Sequence, residues 1–156
     1  MTAPDRWHVQ PTGATFGATV TGLRVATLDD AGFDALHRLW LQHALLILPR
    51  QHLTRPQQVA LALRFGAIER LGRHDIVAIS NVGADGRVRA YAPHEWDDMM
   101  KVIVGNMGWH ADSTYMPLMA KGAVFAAEVV PAEGGETGFA DMRAAYDALD
   151  PGLRER

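Results

Sequence analysis

The run Asn106-Met107-Gly108-Trp109-His110-Ala111-Asp112-Ser113-Thr114 sets an imidazole and a carboxylate two residues apart. In extended backbone such residues project to the same side, with Cα atoms about 6.5–7 Å apart. One divalent metal ion can bridge His110 and Asp112 across that distance. An imidazole plus a carboxylate on one face is two-thirds of the 2-His-1-carboxylate set, which holds Fe(II) and leaves positions open for oxygen and substrates. The plain alternative is a hydrogen-bonded His–Asp pair. With 7 His and 18 acidic residues in 156, chance alone supplies about 0.8 H-x-[DE] pairs (7 × 18/156). Spacing leaves both readings open.

Composition removes other chemistries. Without cysteine there is no disulfide framework, no thiolate nucleophile and no Cys-based zinc or iron–sulfur site. A formal charge of −3 spread along the chain argues against nucleic acid or an anionic membrane as partner. The longest apolar runs, such as Ala44–Leu48, fall far short of a membrane span. Met1–Gln10 opens with Asp5 and Arg6 and lacks the apolar stretch of a signal peptide, so a cytoplasmic protein is expected. Gly134-Gly135 leads into a predicted strand rather than a helix, unlike a phosphate-binding loop. The length suits one domain with a real core. Its last residues, Leu153-Arg154-Glu155-Arg156, follow a helix cap at Asp150-Pro151 so closely that the sequence reads as a cut rather than a finish.

The elements that must position the pair read as follows. Thr12–Val20 is predicted as a strand bent at Gly13 and Gly17. Asp29 or Asp30 caps a helix whose Phe33, Leu36 and Trp40 share one face. Ala44–Leu48 reads as a strand covered on both faces. Thr54 caps a second helix that has Pro56 in its first turn and ends at Gly66. Ile76–Ser80 and Arg87–Tyr91 read as a hairpin, and Ala92–Lys101 as a polar stretch without regular structure. Lys121–Val130 and Glu136–Ala140 are expected strands on either side of a turn at Pro131–Gly135, before a helix at Asp141–Asp150. Helices first and hairpins later predict an α+β fold, mainly antiparallel, rather than a βαβ array.

Several of these blocks together resemble the taurine/2,4-D (TauD/TfdA) family of Fe(II)- and 2-oxoglutarate-dependent dioxygenases. The resemblance rests on Trp109-His110-Ala111-Asp112, then Lys121-Gly122-Ala123-Val124-Phe125, then Gly134-Gly135-Glu136-Thr137. Upstream, Gly13-Ala14, Gly17–Gly22, His43-Ala44-Leu45-Leu46 and Phe65-Gly66 stand in the family's order. Ile79-Ser80-Asn81-Val82 and Met99–Tyr115 are most similar to the aryloxyalkanoate dioxygenases, which act on phenoxypropionate and phenoxyacetate.

The resemblance implies a partial double-stranded β-helix (jelly roll) with N-terminal flanking helices. It implies that His110 and Asp112 are two of the iron ligands and that the Thr137 hydroxyl binds a carboxylate of 2-oxoglutarate. Asn106 and Ser113 face the primary substrate by the same likeness, and His74 is a candidate pocket residue. The reaction implied is O2-dependent hydroxylation of a small carboxylate. At a carbon bearing an ether oxygen the product collapses to a phenol and a keto acid. The family's second histidine and its 2-oxoglutarate arginine lie further along. After Asp112 this sequence has no His, and Arg143, Arg154 and Arg156 match no family motif. The expectation is therefore a single, apparently truncated dioxygenase domain over residues 1–156, inactive alone, whose open sheet edge favours a homo-oligomer or aggregation. Two alternatives stand beside it: a non-catalytic remnant or binding module of the family, and a metal-dependent hydrolase that adds His74 or His94 to the pair.

Overall fold

In a computed structural model, residues 6–70 and 74–156 are described. The chain divides into two compact units, one of Met1–Gly66 with Val124–Arg156, the other of Ala67–Ala123.

The first unit is built on a three-stranded mixed sheet, ordered β1-β2-β3. Strand β1 (His8–Pro11) runs antiparallel to β2 (Ala18–Thr21), with His8 opposite Thr21 and Pro11 opposite Ala18. The expected bent strand over Thr12–Val20 is instead the turn of this hairpin followed by β2. Gly13 and Gly17 adopt φ of 84° and 91°, a conformation that only glycine takes without strain. The Thr12 N–H donates to the Gly17 carbonyl at 3.1 Å and the Thr12 hydroxyl to the Phe16 carbonyl at 2.7 Å, closing the loop.

Helix α1 (Asp30–His43) then crosses over to β3 (Leu46–Ile47), which lies parallel to β2. This parallel crossover was not expected. A parallel neighbour needs a connection of a dozen or more residues, and α1 supplies it. The predicted strand over Ala44–Leu48 shrinks to two residues, since Ala44 takes the left-handed C-cap of α1 and Ile47 is exposed.

Local capping chemistry explains both long helices. The Asp29 carboxylate accepts from the Gly32 N–H at 2.8 Å. Thr54 and Gln57 form a reciprocal capping box at the start of α2 (Arg55–Phe65), which has Pro56 in its first turn. The apolar faces of the two helices meet the sheet in a core of Trp7, Val20, Leu23, Val25, Phe33, Ala35, Leu36 and Leu61. Phe65 packs edge-on against Phe33 and Trp40, with ring centroids 4.8 and 5.3 Å apart.

The helix expected over Asp141–Asp150 is the shorter α4 (Met142–Asp147), capped by Asp141, while Asp150 caps α5 (Pro151–Arg154) as the sequence implies. The strands expected over Lys121–Val130 and Glu136–Ala140 do not form. A strand needs a neighbour for its N–H and C=O groups, and no ladder partner pairs with these segments among the described residues. Gln58 and Arg55 of α2 hold the first segment instead. The Gln58 amide donates to the Val124 carbonyl at 2.8 Å, and Arg55 pairs with Glu128 at 3.2 Å.

The second unit carries the tip of the predicted hairpin without its strands. The Arg89 N–H donates to the Asn81 carbonyl at 2.7 Å and the Gly83 N–H to the Arg87 carbonyl at 2.8 Å, beside one bridge between Val82 and Val88. Helix α3 (Asp98–Gly105) occupies part of the stretch expected to be irregular. Among the described residues, no helix is long and apolar enough to cross a membrane.

Candidate metal centre

The site in the Ala67–Ala123 unit is set up by α3. Asp97 caps that helix by accepting from the Met100 N–H at 2.8 Å, and it also pairs with Arg89. The Met100 N–H chiefly holds the Asp97 carboxyl below its usual pKa; burial opposes this and the Arg89 charge adds to it. The buried Met100 anchors the helix to its unit. At the far end Asn106 is the C-cap, its N–H returning to the Val102 carbonyl at 3.1 Å. The Met107 N–H closes a second turn onto Val104 at 3.2 Å. The chain leaving that turn carries His110.

The His110 ring is fixed at both nitrogens. Nδ1 lies 2.7 Å from the Gly108 carbonyl oxygen, and since a carbonyl only accepts, Nδ1 bears the proton. Nε2 lies 3.2 Å from Asp112 Oδ1. In the neutral ring this sets a nitrogen lone pair against a carboxylate oxygen. Two acceptors at that distance require something positive between them, either a second ring proton or a shared cation. At 3.2 Å the two atoms are close enough for one divalent ion to take both, as they are for a ring proton to bridge them. A histidine that gives its other N–H to a backbone carbonyl is also the usual support for a metal-bound ring. One neutral nitrogen and one anionic oxygen suit a divalent ion that takes mixed N and O ligands. The side chains are 45% and 80% exposed, which leaves room for further ligands.

The other expected residues fall as follows. Asn106 is exposed at the end of α3, four residues before His110. Ser113 is buried and adopts φ of 61°; its hydroxyl, expected to face a substrate, donates to Glu69 at 2.5 Å. His74 is exposed in the same unit as the pair. Thr137 is exposed, outside any helix or strand, in the first unit. Trp109, beside His110, is 78% exposed. Among the described residues no group of three or more His, Asp or Glu is gathered for a metal, so neither His74 nor His94 joins the pair as the hydrolase alternative needs. Glu69 was not foreseen. It lies 44 residues from Ser113, and nothing local in Gly66-Ala67-Ile68-Glu69 marks it.

Residues 8–156 match the family described as Taurine catabolism dioxygenase TauD, TfdA family. The chain belongs to this family. It is 75% identical over 147 residues to an (S)-phenoxypropionate/alpha-ketoglutarate-dioxygenase of Delftia acidovorans, covering 94% of this chain and 50% of that protein. A protein of the same description from Sphingobium herbicidovorans is 61% identical over 150 residues, covering 96% of this chain and 50% of its own. An Alpha-ketoglutarate-dependent 2,4-dichlorophenoxyacetate dioxygenase of Cupriavidus pinatubonensis is 35% identical over 133 residues, covering 76% of this chain and 44% of that protein. Among solved structures, AAD-2 in complex with Mn(II) and N-oxalylglycine superposes with a TM-score of 0.84 at 34% identity, over 95% of this chain and 52% of that one. The chain spans about half the length of the curated relatives it matches. The family resemblance drawn from the sequence blocks is thereby shown.

Proposed function

We propose that this chain supplies part of the active centre of an Fe(II)- and 2-oxoglutarate-dependent dioxygenase that hydroxylates a small aryloxyalkanoic acid. The observation that carries the reading is the His110–Asp112 pair, with Nδ1 2.7 Å from the Gly108 carbonyl oxygen and Nε2 3.2 Å from the Asp112 carboxylate. Family membership and the phenoxypropionate relatives support the substrate class. The Mn(II) and N-oxalylglycine bound by AAD-2 support the cofactor class, because N-oxalylglycine differs from 2-oxoglutarate by one NH in place of a CH2.

In this reading His110 Nε2 and the Asp112 carboxylate would hold Fe(II), with the Gly108 carbonyl, taking the other ring nitrogen's proton, holding the imidazole in place. When bound, Fe(II) with 2-oxoglutarate and O2 supplies the oxidising power to hydroxylate a substrate C–H, with succinate and CO2 as co-products. Asp112 offsets one of the two metal charges. Thr137 gives its hydroxyl to a 2-oxoglutarate carboxylate. Asn106 faces the aryloxyalkanoate, and His74 is the second candidate for contact with it. Residues 121–130 and 136–140, which form no strands in this chain, would become strands of a jelly roll only where a longer protein supplies their ladder partners. With no His after His110, these residues offer two side-chain donors. The 156-residue chain therefore binds Fe(II) weakly by itself and turns over little.

The test is a pair of proteins: the chain alone, and the chain joined to the remaining half of the Delftia acidovorans relative. With Fe(II), 2-oxoglutarate and the two enantiomers of phenoxypropionate, the joined protein should release succinate and phenol together, and His110→Ala or Asp112→Ala should abolish both. Product release that survives either substitution would overturn the reading.

A further inference from the structure

Ser113 is the only buried polar residue among those described, 6% exposed, and it sits directly after Asp112. It adopts φ of 61°, a left-handed conformation that a residue with a Cβ rarely takes without a fixed partner. That partner is Glu69. The Ser113 hydroxyl donates to Glu69 Oε2 at 2.5 Å, within the range of hydroxyl-to-carboxylate bonds. Beyond Ser113 the chain reverses at once, its carbonyl accepting from the Met116 N–H at 3.0 Å. The segment holding Glu69 is itself tethered, since the adjacent Arg70 pairs with Asp75 at 2.8 Å.

We propose that Glu69 is a positioning residue for the metal centre. By anchoring the Ser113 hydroxyl it holds the left-handed turn that directs the Asp112 carboxylate toward His110 Nε2. The physical case is one of burden and support. An 80% exposed aspartate has no packing of its own to fix it, so where it sits depends on how firmly the adjoining main chain is held. The next residue, Ser113, is buried and strained, and its side chain has one partner within the same compact unit. Glu69 touches neither Fe(II) nor substrate in this arrangement. It acts through Ser113 on the ligand carboxylate, as outer groups around a metal orient the inner ones. The inference rests on His110 and Asp112 being metal ligands.

The experiment uses the full chain and Mn(II) alone as probe, reading paramagnetic broadening of the backbone amide signals of residues 108–112 per added Mn(II), with circular dichroism and Tm recorded beside it. In the weak-binding range that slope is proportional to affinity. Glu69→Ala and Ser113→Ala should each lower the slope by about tenfold, the scale on which outer-shell partners act. Glu69→Gln keeps an acceptor oxygen in place and should recover most of the slope. Ser113→Gly removes the hydroxyl but adopts the left-handed turn freely, so its loss should be smaller than that of Ser113→Ala. A merely structural Glu69 would lower Tm while leaving the slope of the folded fraction unchanged, and that outcome overturns the proposal. If Glu69→Ala does not fold, a wild-type slope in Ser113→Ala overturns it equally. His110→Ala separates the two readings. If the broadening persists without His110, the metal assignment itself falls and the positioning role with it. If it vanishes while Glu69→Ala matches wild type, only the positioning role falls.

Discussion

Asp112→Asn separates the chemistry of the pair from its share in stability. The substitution keeps side-chain shape and removes the charge. Even two full unit charges 3.2 Å apart would attract by only about 1 kcal/mol in a water-like medium, which bounds the pair from above. Side chains 45% and 80% exposed lie close to that limit, and ordering them offsets part of the gain. Loss of the His110–Asp112 attraction should therefore cost under about 1 kcal/mol, a Tm change below about 4 °C for a chain of this size. Metal binding should respond on a different scale. A two-donor site that loses its only anionic donor should weaken by more than the ~10–100-fold that follows removal of an outer-shell partner. The assay is Mn(II) titration of the folded chain, read locally at residues 108–112 by NMR line broadening and set against the thermal melt of the same sample. A Tm nearly unchanged with broadening lost is the expected result. Unaltered broadening would refute the ligand assignment, and a melt lowered by 10 °C or more would show that the pair holds the fold together.

Other perturbations probe the scaffold. Asp97 has a lowered pKa in the folded state, so its contribution is complete above the ordinary carboxyl value of 3.8 and is lost as pH falls through the lower folded value. Amide protection at the start of α3 should hold at pH 5 and collapse in the acid range below 3.8, and Asp97→Asn should flatten that dependence in hydrogen exchange. Gly22→Ala places a Cβ 2.1 Å from the Arg6 carbonyl oxygen at φ of 80°; a loss above about 2 kcal/mol is expected in urea unfolding. Leu36→Ala truncates the largest fully buried side chain among the described residues and should cost about 2–5 kcal/mol by the same measurement. Thr54→Ala breaks the capping box of α2 and should cost about 1 kcal/mol.

What could be read from sequence follows the range of the interactions. Asp29, Thr54 with Gln57, Asp141 and Asp150 act on N–H groups two or three residues away, so each helix start was legible from its cap. Helix α3 was missed although Asp97 offers the same signal, because the polar run before it masked the apolar Met100 and Ile103 positions. Strands need partners that sequence does not name. The alternating segment at Thr12–Val20 was read as a strand through its bend, whereas positive φ at Gly13 and Gly17 makes the bend a hairpin turn. Val124, Phe125 and Val129 have strong strand character, yet this segment is held by side chains of α2 rather than by a ladder.

The centre itself shows the same division at closer range. Extended backbone was the reason for expecting His110 and Asp112 on one side, and their donor atoms do meet at 3.2 Å. The backbone that brings them there is not a strand. Residues 110 and 111 lack ladder pairing, and Asp112 opens a turn that Ser113 completes with φ of 61°. A two-residue spacing is short enough for more than one backbone path to satisfy it, which is why the juxtaposition was legible and its cause was not. The cause runs through Glu69, 44 residues upstream, by a hydrogen bond that no local pattern announces. Spacing can therefore nominate a pair of ligands. What aims them depends on a buried hydroxyl and a carboxylate brought together only by the fold.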